Sequence, residues 1–139
     1  MNKELKCFKA YDVRGELGPE FNNETCYRIA RAFAQVIGKN KVVVGWDARE
    51  TSPDLSKSVI QGLIDEGATV INIGLAGTEE MYWGTTYFEA CGGIEVTASH
   101  NPINFNGLKM VKSASQPLDP ISDFMMIKKK KKKNDFKII

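Results

Sequence analysis

Hydrophobic and polar positions recur with two different periods along residues 41–97, and the switches between them lay out the fold. Lys41-Val42-Val43-Val44-Gly45-Trp46 carries three valines in a row, the pattern of a strand covered on both faces. Ser52-Pro53 then offers an N-cap followed by proline at the first helical position. Leu55, Val59, Ile60, Leu63 and Ile64 follow at helical spacing, with Gly67 closing the helix. Residues 69–73 read as a second strand ended by Gly74. Residues 78–90 read as a helix capped by Thr78, with Glu79 and Glu80 in its first turn, and residues 93–97 as a third strand. Upstream, Cys26, Ile29, Ala30, Phe33, Val36 and Ile37 line one face of a helix over residues 23–37, closed by Gly38. Residues 8–13 read as extended, and residues 107–111 as a last strand of either direction. This alternation predicts an α/β fold: a three-layer α/β/α sandwich around a mixed, mostly parallel sheet of about four strands.

Beyond Pro117 the pattern fails. A short apolar stretch at 121–127 is followed by six lysines at 128–133. The 139 residues therefore read as one domain, residues 1–119, and a divergent lysine-rich tail, residues 120–139, expected to be disordered. The six lysines imply a run of adenine-rich codons, from which we expect an early-terminated or frame-shifted copy that diverges near Lys128.

The net charge of +2 hides an asymmetry: residues 1–127 hold 12 basic against 16 acidic side chains, and seven lysines lie in the last twelve residues. A nucleic-acid or anionic-surface partner would rest on that tail alone, and a lysine run without interleaved aromatics is ordinarily a solvated tail; neither a nucleic-acid nor a membrane partner is expected. No apolar run approaches a membrane span and residues 1–15 lack a signal-peptide core. Three cysteines without CxxC spacing disfavour a disulfide framework, so a cytoplasmic protein is expected.

The chemistry concentrates in turns after the strands. Thr97-Ala98-Ser99-His100-Asn101-Pro102 follows the third strand directly, at the carboxyl end where parallel α/β sheets bind ligands. The bland alternative is an ordinary polar turn. The residues argue against a hydrolase triad: the single histidine, His100, is the neighbour of Ser99, and no G-x-S-x-G elbow surrounds the serine. Tyr11-Asp12-Val13-Arg14-Gly15 places an arginine, a planar phosphate fork, before a turn. Gly45-Trp46-Asp47-Ala48-Arg49 ends the first strand at the same sheet edge, and Asn104-Phe105-Asn106-Gly107-Leu108-Lys109 brings a lysine back towards Ser99. Each cluster alone could be capping or a surface ion pair; together they point to phosphate handling.

In this order, and with Gly77-Thr78-Glu79-Glu80-Met81-Tyr82 and Gly92-Gly93-Ile94-Glu95-Val96, these motifs resemble the first domain of the α-D-phosphohexomutases over residues ~5 to ~119. Within that family they are most similar to the bacterial phosphomannomutases, with the phosphoglucomutases the nearest confusable group. The resemblance implies an isomerase of carbohydrate and nucleotide-sugar metabolism acting on a hexose phosphate. Ser99 matches the serine carried as phosphoserine, whose phosphoryl group passes to the sugar and is replaced from the resulting bisphosphate. The resemblance puts Lys109 near the transferred proton, His100 beside the phosphoserine as a proton shuttle, and Arg14 against the phosphoserine or the incoming hydroxyl. Arg49 would brace the loops, and Asp12 and Asp47 would support them. It also implies Mg²⁺, bound by the phosphate of Ser99 and an aspartate-rich loop on a second domain. That loop has no counterpart in this sequence, so Ser99 is the one metal ligand of the family set retained. A third and fourth domain would read the sugar and hold its distal phosphate, and neither is matched here.

Overall fold

The computed structural model describes residues 13–133, and its elements follow the chain as β1 (Val13–Glu16), α1 (Asn23–Val36), β2 (Lys41–Trp46), α2 (Ser52–Asp65), β3 (Thr69–Leu75), α3 (Thr78–Tyr87), β4 (Gly92–Val96), β5 (Phe105–Lys112), β6 (Gln116–Pro117) and α4 (Met125–Lys133). They form one sheet of order β1-β5-β4-β2-β3, with β6 on the far end of β5. The three strands read from the alternating pattern, β2, β3 and β4, pair in parallel. Around them β1, β5 and β6 pair antiparallel, giving a mixed sheet of six strands where about four were expected. The expected extension of residues 8–13 falls outside the described residues except for Val13, where β1 begins.

Helices cover both faces. One face carries Val42, Val44, Ile94, Val96 and Leu108 against Ile29, Phe33, Leu55, Val59 and Leu63 of α1 and α2. The other carries Val43 and Val111 against Met81 of α3. This two-sided burial is why β2 and β4 read as continuous apolar runs. The helices α1 and α2 cross closely at Gly62, where a Cβ would sit 2.5 Å from the Tyr27 carbonyl oxygen.

Two expected caps move by a residue. Asn22 caps α1, accepting the Thr25 amide at 2.9 Å. At α3 the cap is Gly77, not Thr78, and its amide donates to Glu80 Oε1 at 2.8 Å. At α2 the cap is Thr51, not Ser52, whose hydroxyl is used elsewhere. Gly67 ends the helix as read, with φ +91°.

The stretch after Pro117 is a correction. Of residues 120–139, expected to be disordered, 120–133 form a π-helical turn over Pro120–Phe124 and then α4, while 134–139 lie outside the described residues. Ile127 is fully buried in the α1–α2 side of the core, and Lys112 Nζ holds Asp123 at 2.9 Å. Leu118 and Ile127 in the core and the Lys112–Asp123 pair hold this segment to the domain, with lysine's good helix propensity favouring the helix. Among the described residues, no helix is long and apolar enough to cross a membrane, and Cys26 and Cys91 form no disulfide.

Candidate active site

Ser99 lies three residues beyond β4 on an exposed turn, with φ +55°. A left-handed conformation costs a non-glycine residue on the order of 1–2 kcal/mol, so the surroundings must hold it. Inside the turn, the Ser99 amide donates to Thr97 Oγ1 at 3.0 Å and the Asn101 amide to the Ala98 carbonyl at 3.1 Å.

Outside the turn the holder is Arg49, on the loop between β2 and α2. Its Nη2 donates to the carbonyl oxygens of Ser99 (3.0 Å) and Asn101 (2.5 Å), and its Nη1 to those of Pro102 (2.8 Å) and Phe105 (3.0 Å). Asp47 stands behind it. Asp47 Oδ2 is 3.6 Å from Arg49 Nε, and Oδ1 accepts both the Arg49 amide (3.0 Å) and the Ser52 hydroxyl (2.6 Å). The buried Asn106 of β5 closes this network, donating to Ser52 Oγ and Thr51 Oγ1, each at 2.9 Å. Ser52 thus ties the second loop to the fifth strand, which is why it does not cap its helix.

Arg14 comes from β1, opposite Gly107, and its Nη1 donates to Asn101 Oδ1 at 3.2 Å. Its Nε is buried without a hydrogen-bond partner. Arg14 of β1 and Arg49 of the loop after β2 therefore meet the chain at residues 99–105. His100 sits exposed on the same turn. Lys109 is half-buried on β5, opposite Glu95, and shares a sheet face with Arg14. Asp12 is outside the described residues.

The sequence reading missed Glu95. It is fully buried on β4, and neither carboxyl oxygen has a hydrogen-bond partner. Burial, with the charges of Asp47 and Glu80 adding to it, pushes its carboxyl up to about 8. The signal was a lone acidic residue inside the buried run Gly93-Ile94-Glu95-Val96. As for magnesium, no group of three or more His, Cys, Asp or Glu among the described residues could hold a metal. The carboxylate near Ser99, Asp47, is already engaged with Arg49 and Ser52. These residues do not make a metal site on their own.

This geometry can be set beside known proteins. The family model described as "Phosphoglucomutase/phosphomannomutase, alpha/beta/alpha domain I" matches residues 5–137. The chain belongs to the phosphoglucomutase/phosphomannomutase family. A phosphomannomutase of Klebsiella pneumoniae is 47% identical over 133 residues, covering 96% of this chain and 85% of that protein. One of Escherichia coli is also 47% identical over 133 residues, but those cover 29% of its length. Among solved structures, a phosphoglucomutase/phosphomannomutase family protein of Burkholderia thailandensis superposes with TM-score 0.83 at 28% identity, over 96% of this chain and 31% of that one. The chain thus spans under a third of the Escherichia and Burkholderia proteins. The match to the family's first domain runs through the lysine run to residue 137.

Proposed function

We propose that this chain is the phosphoserine-bearing part of a phosphomannomutase, interconverting mannose 6-phosphate and mannose 1-phosphate. The observation that carries the reading is Ser99: an exposed hydroxyl at the carboxyl end of a buried strand, on a left-handed turn held by Arg49. Such a turn lifts one side chain out of the surface and keeps the backbone beneath it fixed, as a phosphoryl carrier requires.

In this reading the phosphoryl group leaves Ser99 Oγ for the free hydroxyl of the hexose phosphate; the Ser–O–P bond breaks as the sugar–O–P bond forms. Lys109 or His100, the groups the family resemblance assigns to this role, takes the hydroxyl proton, and a proton returns to the departing Ser99 Oγ. The bisphosphorylated sugar then turns over and returns its other phosphoryl group to Ser99. Arg14 steadies the moving group, since a guanidinium fork fits phosphate oxygens and neutralises their charge. Magnesium, if used, would sit on the phosphate of Ser99 with ligands from outside this chain.

The test is direct. The purified chain is incubated with mannose 1,6-bisphosphate and its peptides are read by mass spectrometry. A phosphate on Ser99, absent in Ser99→Ala, supports the reading; an unmodified Ser99 makes the chain a non-catalytic member of the family. Repeating the incubation with glucose 1,6-bisphosphate compares the mannose reading with phosphoglucomutase.

A further inference from the structure

Two arginines reach the Ser99 turn, and their donors are spent differently. All four Nη–H bonds of Arg49 end on main-chain carbonyl oxygens, those of Ser99, Asn101, Pro102 and Phe105, while Nε faces Asp47 at 3.6 Å. A guanidinium has five N–H donors and no acceptor: four of those on Arg49 are taken by carbonyls, and the fifth faces the Asp47 carboxylate, whose charge repels a phosphate. Arg14 makes one hydrogen bond with Nη1, and its Nε has no partner. The carbonyls that Arg49 holds lie on Ser99 itself and on the residues that return the chain into β5, so the guanidinium fixes one whole side of the turn. On the other side the turn is tied through Thr97 Oγ1, the Ala98 carbonyl and the Asn101 side chain, which accepts from Arg14.

We propose that Arg49 is a positioning residue for phosphoryl transfer at Ser99: it sets the direction of Ser99 Oγ through four backbone carbonyls, binds no phosphate itself, and is held in place by Asp47. The inference rests on the reading of Ser99 as phosphoryl carrier. A lysine cannot replace it, because one ammonium with three donors cannot span four carbonyls in a plane. Loss of the clamp misaims Oγ without removing a phosphate ligand, so it lowers the maximal rate of transfer and leaves donor binding alone.

The experiment follows phosphorylation of Ser99 in the full chain over a range of mannose 1,6-bisphosphate concentrations. Arg49→Lys lowers the maximal rate by about tenfold or more and changes the half-saturating concentration by less than about twofold. Arg14→Ala raises the half-saturating concentration. Added methylguanidinium restores part of the rate to Arg49→Ala. Asp47→Asn gives the same split as Arg49→Lys in smaller measure and replaces it if that variant melts early. Wild-type maximal rate in both Arg49→Lys and Asp47→Asn, or a loss confined to the half-saturating concentration, overturns the proposal. If the wild-type chain takes no phosphate, the phosphoserine reading fails by itself, and hydrogen exchange judges the clamp. The amides of Asn101 and Phe105 then exchange about tenfold faster in Arg49→Lys while those of α1 are unchanged; equal exchange overturns it.

Discussion

Gly45 leaves the space that the Glu95 carboxyl occupies: a Cβ on Gly45 would stand 2.7 Å from Glu95 Oε1 and 3.0 Å from Ile73 Cγ1. The two residues are register partners on β2 and β4. Gly45→Ala therefore overpacks this spot and destabilises the fold by ~1–3 kcal/mol. Shortening the partner relieves the clash, so in a Glu95→Ala background the same substitution costs less. Urea unfolding of the four proteins measures the coupling, and strict additivity would contradict the contact.

The same carboxyl makes stability depend on pH. Its pKa rises from 4.5 unfolded to about 8 folded, so the native state binds the extra proton between those values. The associated stability is fully present below about pH 4.5 and is lost as pH rises to about 8, beyond which this group adds no further slope. At about 1.4 kcal/mol per pH unit the loss is on the order of several kcal/mol. Glu95→Gln removes the titration: its melting temperature relative to wild type is expected to climb from pH 5 to pH 8. A constant difference across that range would show that Glu95 is not the group responsible.

Much of this was legible in the sequence. The strands β2, β3 and β4 and helices α1 to α3 declared themselves because each buries a face with a clear period. The edges did not: β6 has two residues, and α4 has a buried anchor, Ile127, ahead of a lysine run. At the site, Ser99, Arg14 and Arg49 stood out as polar residues at strand ends. Asn106 and Ser52 did not, because their roles depend on which loop lies opposite, and spacing along one chain does not give that. Glu95 escaped notice because the sequence shows a charge within a buried run without showing that it lacks a partner.

That anchor gives a test of the C-terminal helix. Ile127 is fully buried, in the same core cluster as Ile29 and Phe33 of α1. Ile127→Ala is expected to cost ~2–4 kcal/mol, as large-to-small changes in a core do. Amide exchange along residues 125–133 should rise towards the unfolded rate before the rest of the domain opens. If α4 is only a solvated tail, the variant melts with wild type.

The conformation of Ser99 predicts a trade between stability and chemistry. Glycine pays no Cβ penalty at φ +55°, whereas alanine keeps it. Ser99→Gly is therefore expected to be more stable than Ser99→Ala by about 1 kcal/mol, while both lose any phosphate on residue 99. Thermal melts of the two variants decide this. Equal melting temperatures would mean that the turn relaxes and that residue 99 is not held in the left-handed region.

Taking a phosphoryl group once and turning over a substrate make different demands, and the 139-residue chain by itself is expected to meet only the first. A stoichiometric transfer to Ser99 needs an aimed hydroxyl and a cation near the moving group, which Arg49 and Arg14 provide in the proposed reading. A cycle also needs the sugar held by its far phosphate, released, reoriented and held again. Among the described residues no metal-holding group exists, and these residues span 31% or less of the Escherichia and Burkholderia relatives. Removing even one electrostatic donor from such a site commonly costs ~10²–10³ in rate, and in the proposed reading the metal carboxylates and the distal phosphate contacts would come from other domains of the family. The measurement is mannose 1-phosphate to mannose 6-phosphate conversion by the purified chain with magnesium and a bisphosphate activator. Turnover within tenfold of a full-length relative, abolished by Ser99→Ala, would show that one domain suffices. Ser99 labelling without turnover is the outcome expected.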